Sequence, residues 1–187
     1  MKNHKLKNMK KIATLICWLS ITGLAYSQEK KEVQTTLAEQ FSSQAGILIE
    51  KQFIDIGKVK GISVQVMKVK DLNDGSSKSA LRFEYEYKSS YSTDTKIATL
   101  DLDEIDGLLK SMNSLITNVF PSTREVYTEV TFISRTGFKA GAYYDNERKR
   151  WTPYFKLEKF DSNSSVYVSN EDFSNLLKLI EEAKAKM

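Results

Sequence analysis

Two similar stretches decide the fold: Thr99-Leu-Asp-Leu-Asp-Glu-Ile-Asp-Gly-Leu-Leu-Lys110 and Ser165-Val-Tyr-Val-Ser-Asn-Glu-Asp-Phe-Ser-Asn-Leu-Leu-Lys178. Each begins as a short apolar strand, passes through an acidic helix start and continues with the pattern apolar-x-x-Leu-Leu-Lys. The second stretch is two residues longer than the first, so the two align with a two-residue offset. The repetition predicts that one structural unit occurs twice and that each copy ends in a helix.

Each acidic start is followed by apolar residues at intervals of three and four, which is the spacing of an amphipathic helix. Asp101 with Glu104 predicts a capped start for a helix over about 103–119, which Pro121 ends. Ser169 with Asp172 predicts the cap of the final helix. The residues expected on the buried faces are Ile105, Leu108, Leu109, Met112 and Ile116 in the first helix, and Phe173, Leu176, Leu177, Ile180 and Ala183 in the second.

Strand patterns precede both helices. The clearest is 81–88, where Leu81, Phe83, Tyr85 and Tyr87 alternate with charged residues. Glycines and Asn-Asp-Gly stretches predict the turns, including one bracketed by Gly57 and Gly61 and a hairpin over 71–75. The other predicted strands are 47–56, 62–66 and 96–102 in the first unit, and 125–134, 138–144, 150–160 and 166–168 in the second.

These elements predict an α+β fold of two tandem ββββα units, with antiparallel sheets each covered by one C-terminal helix. The first unit is expected over 46–122 and the second over 123–187, together forming one compact domain. Residues 28–45 are polar and are expected to be flexible or weakly helical. Over 46–186 the order of elements resembles the Whirly and Pur-alpha group of single-stranded nucleic-acid binders. The resemblance lies in topology, without a shared sequence motif, and it implies nucleic-acid binding by analogy of fold.

Residues 1–27 have the pattern of a secretory signal peptide. A head with five lysines precedes an apolar run over 12–24, and Ala25-Tyr-Ser27 supplies the small-x-small site, so cleavage is expected after Ser27. The Tyr-Ser-Gln ending is similar to that of small exported Bacteroidota proteins of unknown function. Because Trp18 and Leu19 continue the run beyond Cys17, we expect no lipoprotein modification there. We predict export to the periplasm or medium, with no transmembrane segment in the mature chain.

Removing the leader changes the charge and the available chemistry. Five of the 28 basic residues and none of the 24 acidic residues precede residue 28, so the mature chain carries 23 against 24, a net charge of −1. We therefore expect no nucleic-acid partner. The only histidine, His4, and the only cysteine, Cys17, also lie in the leader. Their loss excludes the common zinc sites and His-based triads, and we expect no cofactor and no metal.

The most site-like segment is 143–154, because it combines cations with aromatic rings. If the protein binds through a definable surface, we predict that Tyr143, Arg148, Arg150, Trp151 and Tyr154 form it. The alternative is a hairpin tip that buries Tyr144, Trp151 and Phe155. Pro153 within the strand implies an edge or a bulge, since proline cannot donate to the ladder, and another chain could add a strand at such an edge.

Other patterns have structural explanations. Asp71-Leu-Asn-Asp-Gly75 superficially resembles a calcium loop, but Leu81 occupies the position of the bidentate glutamate. The acids Asp101, Asp103, Glu104 and Asp106 suit either a helix N-terminus or a weak calcium site. The row Phe83, Tyr85, Tyr87 and Tyr91 suits a core or a stacking platform, and Glu84 with Glu86 lie on one strand face at a spacing that some glycosidases use.

We therefore predict an exported, non-catalytic binding or protein-interaction module for an unknown protein or small ligand. One alternative is a carrier of a small or lipidic ligand in a cavity between sheet and helices, lined by the row from Phe83 to Tyr87. A second alternative is a carboxylate-dependent hydrolase using Glu84 or Glu86. The resemblance to nucleic-acid binders adds a third.

Overall fold

The computed structural model describes residues 34–187, so the predicted signal peptide lies outside the described residues. These residues fold into two four-stranded antiparallel sheets and three α-helices, which confirms the predicted α+β class. The first sheet has the order β1-β2-β3-β4 and the second the order β5-β6-β7-β8. The strands are β1 (Ile49–Val59), β2 (Ile62–Asp71), β3 (Ser77–Lys88), β4 (Thr93–Asp101), β5 (Thr128–Ile133), β6 (Lys139–Asp145), β7 (Arg150–Lys156) and β8 (Ser165–Tyr167).

The first sheet buries one face because its strands alternate as the sequence predicts. Leu81 and Phe83 of β3 are fully buried and lie beside Val64 and Val66 of β2. The turn between β1 and β2 consists of Lys60 and Gly61 alone, both at positive φ, which is the conformation that two-residue hairpins prefer. Asp71–Gly75 forms the next hairpin turn, in which the Asp71 carboxylate accepts from the Asn73 amide at 2.7 Å.

The prediction that Gly57 and Gly61 bracket a turn is wrong for Gly57. It does not bracket the turn but lies within β1, where a β-bulge shifts the register between Asp55 and Gly57. A Cβ at Gly57 would lie 2.8 Å from Cδ2 of Leu179, a residue near the end of the chain. Glycine at this position therefore allows a helix that is distant in sequence to pack closely on β1. Local sequence patterns do not report such a contact.

Three helices complete the fold: α1 (Leu37–Ser42), α2 (Leu102–Ser114) and α3 (Asn170–Ala185). Helix α2 continues as a π-helical turn over Leu115–Val119, and Phe120 donates to the Leu115 carbonyl at 2.9 Å. The predicted cap of α3 is confirmed, because the Ser169 hydroxyl accepts from the Asp172 amide at 3.0 Å. A 3₁₀ turn, Ser162–Ser164, precedes β8.

The two units share one hydrophobic core. Helix α2 follows the first sheet but also packs on β5, where Gly107 faces the ring of Phe132. Helix α3 follows the second sheet but packs on β1 and β2 of the first. Both helices therefore contact both sheets, and each sheet has part of its buried face covered by a helix from the other unit.

Helix α1 covers part of the opposite face of the first sheet, where Ala38 packs with Met67, Val69 and Ala80. The Asp101 carboxylate holds its N-terminus, accepting from the amides of Leu37 at 2.8 Å and Ala38 at 3.3 Å. Asp101 precedes α2 as predicted, and its own amide donates to Glu104 at 3.3 Å. Asp101 therefore binds the start of α1 in addition to standing at the N-cap of α2.

Candidate functional site

The structure divides the five predicted site residues among three places on the β6–β7 hairpin. Tyr143 and Tyr154 lie on the outer face of the second sheet, away from the helices. Trp151 lies on the inner face, because successive strand residues point to opposite sides. Arg148 and Arg150 lie at the exposed hairpin tip. The predicted residues therefore do not form a single surface.

Trp151 is a packing residue, only 6% exposed. Its indole Nε1 donates to the Ser122 carbonyl at 2.8 Å, and its ring meets Tyr144 edge-on at 5.3 Å between centroids. The Arg124 guanidinium lies 5.2 Å above the ring centroid. The alternative of a hairpin that buries Tyr144, Trp151 and Phe155 is the one observed.

The tip of the hairpin is organised by Asp145. Its carboxylate accepts from the amides of Glu147 and Arg148, both at 3.0 Å, and lies 3.6 Å from the Arg148 guanidinium. These bonds lower the pKa of Asp145, the Arg148 amide having the largest effect. The amide and the guanidinium of Arg148 therefore both interact with Asp145 within the same turn.

The outer face of the second sheet carries a tyrosine from each of β6, β7 and β8, and a fourth from the residue that precedes β5. We name Tyr127, Tyr143, Tyr154 and Tyr167 the tyrosine face. The centroid of the Tyr143 ring lies 6.2 Å from that of Tyr127 and 6.3 Å from that of Tyr167, and the Tyr154 and Tyr167 centroids lie 6.4 Å apart. Tyr127 is 61% exposed and Tyr167 57% exposed. The four rings form a continuous aromatic surface, with Tyr127 and Tyr167 exposed and Tyr143 and Tyr154 partly buried.

Gly141 makes room for this surface. It lies on β6 between Thr131 of β5 and Tyr154 of β7, opposite both in the register. The Tyr154 hydroxyl is 3.0 Å from the Thr131 hydroxyl, so the Tyr154 side chain passes over Gly141. A Cβ at Gly141 would lie 2.5 Å from the Val130 carbonyl oxygen and 2.7 Å from Thr131 Oγ1. A side chain at this position is therefore incompatible with the observed arrangement.

A hydrogen bond raises the pKa of one phenol of the tyrosine face, Tyr127, and burial raises that of another, Tyr154. The Tyr127 hydroxyl donates to the Glu129 carboxylate, and this bond raises the pKa of Tyr127 to about 12. Burial raises the pKa of Tyr154, although its bond with Thr131 acts in the opposite direction. Lys139 and Lys156 lie opposite each other on the same face. The surface thus combines neutral aromatic rings with both signs of charge at its margins.

Sequence reasoning found half of the tyrosine face. Tyr143 and Tyr154 belong to one hairpin and lie close together in the sequence. Tyr127 immediately precedes β5 and Tyr167 belongs to β8, and these are the two outermost strands of the sheet. The available signal was the alternation within the second unit, which assigns Tyr127, Glu129 and Thr131 to one face. Combining it with the strand order would have placed the tyrosines together.

A cleft of about 700 Å³ lies on the other side of Trp151, between β7 and the start of α3. Its polar residues include Lys149 and Arg150, and its apolar residues include Phe120, Trp151 and Val168. Pro153 also lines it, at the position where β8 stops pairing with β7, and the Pro153 carbonyl accepts from Val168 at 3.1 Å. The first half of β7 is therefore an edge, as Pro153 implies.

The acidic cluster is occupied by an arginine. Asp101, Asp103 and Glu104 have carboxylate oxygens within 4.8 Å of one another. The Arg135 guanidinium lies 2.7 Å from Asp101 and 2.6 Å from Asp103, and the Arg135 amide donates to Glu104 at 2.6 Å. The cluster connects the second unit to the start of α2, with the guanidinium where a cation would lie.

The aromatic residues that begin at Phe83 on β3 differ in how deeply they are buried. Phe83 stacks on Phe138 within the core, Tyr85 and Tyr87 are partly buried, and Tyr91 is 99% exposed in the following turn. On the opposite face, Glu84 pairs with Arg82 at 2.7 Å and Glu86 with Lys88 at 3.4 Å. The row is therefore core at Phe83, and both carboxylates of the hydrolase hypothesis are ion-paired.

Comparisons of the chain with protein-family models, with characterised proteins and with solved structures find no significant match. Within residues 34–187, none of the helices has the length and apolar character that crossing a bilayer requires.

Proposed function

We propose that this chain is an exported, non-catalytic protein-interaction module whose contact surface is the tyrosine face. The observation that carries the proposal is a row of four adjacent tyrosines, two of them exposed and two partly buried, on a sheet face that the helices of residues 34–187 leave uncovered. Tyrosine gives a large amphipathic contact area at low entropic cost and is enriched at the centres of protein interfaces. A protein partner therefore suits this surface.

The sheet supports this role by holding the rings in place before binding. Tyr154 is fixed by Thr131 and by its passage over Gly141, and Tyr127 is fixed by Glu129. A surface ordered in advance loses less entropy on association. The mixed charges of Glu129, Lys139 and Lys156 favour a partner with polar groups of both signs at its margin.

The experiment is site-specific photocrosslinking in the host cell. A photoreactive phenylalanine analogue replaces Tyr167 in one variant and Tyr91 in the control, since Tyr91 is more exposed but distant in sequence from the face. We expect a discrete protein adduct at position 167 and none at 91. Adducts of equal intensity at both positions, or nucleic acid in the adduct, would contradict the proposal.

A binding measurement follows once the adduct is identified. Tyr143→Ala and Tyr167→Ala should each weaken binding of that protein by about 1 kcal/mol or more, as expected for aromatic residues central to an interface. Tyr91→Ala should leave the affinity unchanged. Retention of full affinity by both face variants would exclude this surface.

A second candidate is a carrier function for a small ligand in the cleft beside Trp151. The volume of about 700 Å³ suits a small molecule, and Lys149 with Arg150 would favour an anionic group. Native mass spectrometry of protein purified from the host detects such a ligand as an added mass. The adduct should be lost in Arg150→Glu and retained in Arg148→Glu, whose residue is not among those that line the cleft.

Export is part of the proposal and has its own measurement. The mass of the protein recovered from the envelope or medium should begin at Gln28. A chain that retains Met1 in the cytoplasm would contradict export, without bearing on the tyrosine face.

A further inference from the structure

Strand β1 forms one open edge of the first sheet. The opposite edge, β4, is covered by the second unit, because Ile97 donates to the Glu158 carboxylate at 3.3 Å and Thr136 donates to the Thr99 carbonyl at 3.4 Å. Among residues 34–187, strand β1 pairs with β2 alone, on one side. An open edge of this length can pair with another strand.

The backbone groups that face outward on β1 can be assigned. The two-residue turn makes Val59 and Ile62 a hydrogen-bonded pair, and at the far end Leu72 donates to the Leu48 carbonyl at 2.8 Å. With the bulge before Gly57, alternation leaves the N–H and C=O groups of Lys51, Phe53 and Asp55 pointing away from β2. Among the described residues, none from another element bonds to these outward groups.

The side chains of the same three residues form a palindromic charge pattern. Lys51, Phe53 and Asp55 lie on the outer face of the sheet, and all three are exposed, Phe53 at 49%. Lys51 and Asp55 are each two positions from Phe53. A second β1 running in the opposite direction with Phe53 at the centre would therefore place unlike charges opposite each other.

We infer that two copies of this chain pair through β1, antiparallel and with the two-fold axis at Phe53. The backbone N–H and C=O groups of Phe53 form hydrogen bonds with those of Phe53 of the second copy, and Lys51 lies opposite Asp55 of the second copy. The two first sheets then form one continuous eight-stranded sheet. Such an interface is isologous, since the same strand serves both sides.

The side chains select this register over its neighbours. A shift of the axis to Gln52 or Ile54 still pairs outward groups, but it places Phe53 opposite Lys51 or Asp55 and removes the complementary charges. Lysine on an edge strand ordinarily prevents unspecific pairing. Here Lys51 is matched only in the Phe53-centred pair, and the bulge before Gly57 ends the ladder beyond Asp55. A second copy of this chain supplies the matching pattern.

Charge reversal tests the inference by sedimentation analysis of the purified protein over a range of concentrations. Lys51→Asp and Asp55→Lys each place like charges opposite one another on both sides of the axis, so each should raise the dimer dissociation constant about tenfold or more. The double variant should recover the dimer. A mixture of the two single variants should form a heterodimer. Glu50→Lys is the matched control, since its side chain lies on the other face of β1.

A cross-link tests the register. In a hydrogen-bonded antiparallel pair the opposing Cα atoms lie about 5.5 Å apart, which suits a disulfide. In a chain with Cys17→Ser, Phe53→Cys should therefore form an intermolecular disulfide under mild oxidation, and Gln52→Cys should not. A monomer at every concentration overturns the inference. A dimer also overturns the inference if neither single charge reversal weakens it and if Phe53→Cys does not cross-link it.

Discussion

Phe83 and Phe138 stack face to face, with ring centroids 4.8 Å apart and ring planes inclined by 4°. Phe83 belongs to the first sheet, and Phe138 lies immediately before β6 of the second. Phe155 contacts both rings and also Phe173 of α3. The aromatic cluster therefore joins the two units at the centre of their common core.

Replacing Phe138 by alanine should destabilise the whole described fold. Truncating a fully buried phenylalanine costs about 3–5 kcal/mol, from lost transfer energy and the cavity that remains. Urea unfolding followed by circular dichroism and by Trp151 fluorescence should give one shifted transition for both signals. Tyr91→Ala should leave the midpoint unchanged. Separate transitions for the two signals would contradict a shared core.

Asp101→Ala should release α1. The substitution leaves the amides of Leu37 and Ala38 without their acceptor, at a cost of about 1–3 kcal/mol for buried donors. Hydrogen exchange should show loss of protection at these two amides. Asp103→Ala is the matched control, because Asp103 also binds Arg135 at 2.6 Å but accepts from neither amide. Equal exchange in both variants would show that Arg135, and not Asp101, holds the helix.

Two glycine substitutions should have opposite effects. Gly141→Ala places Cβ 2.5 Å from a backbone oxygen and should destabilise by at least about 1–3 kcal/mol, the usual cost of overpacking. Gly107→Ala places Cβ 3.5 Å from the Phe132 ring within α2, an ordinary contact. It should stabilise by up to about 1 kcal/mol through helix propensity. Thermal unfolding of both variants measures the contrast, and a stable Gly141→Ala protein would contradict the close strand contact.

Tyr127 should titrate at unusually high pH. The bond to Glu129 raises its folded pKa to about 12, against about 10 in the unfolded chain. The associated stabilisation is complete below about pH 10 and is lost as the pH rises through about 12. Ultraviolet difference titration should show a late phenol that Tyr127→Phe removes and Glu129→Gln shifts to lower pH. An unchanged titration in Glu129→Gln would contradict this bond as the cause.

The sequence predicted the elements of this fold better than their partners. Alternation and helical spacing report which face of an element is apolar, so the buried positions of α3 were predicted correctly, from Phe173 to Ala183. They do not report what covers that face. The packing of α3 on β1 therefore escaped prediction, and Gly57 was assigned to a turn although its function is to admit Leu179.

The candidate surface was predicted in part for a related reason. Neighbours in sequence within a strand point to opposite sides, so Trp151 and Arg150 could not share a face with each other. Tyr143 and Tyr154 share one because they are diagonal neighbours across a hairpin, with Tyr143 opposite Thr152 and Tyr154 opposite Gly141. Tyr127 and Tyr167 join them through strand order, which is a property of the complete sheet and not of any local segment.

Helix α3 lies on β1 and β2, although strands β3 to β8 separate it from them in the sequence. Until residues 170–185 are available, β1 and β2 lack the helix that packs on their buried face, which includes Ile62, Val64 and Val66, however early they were synthesised. Such late closure between distant segments slows folding. A nascent chain must therefore carry an exposed apolar sheet face until α3 has been synthesised. A stop codon anywhere before α3 should remove the native state of both units, not of the second alone.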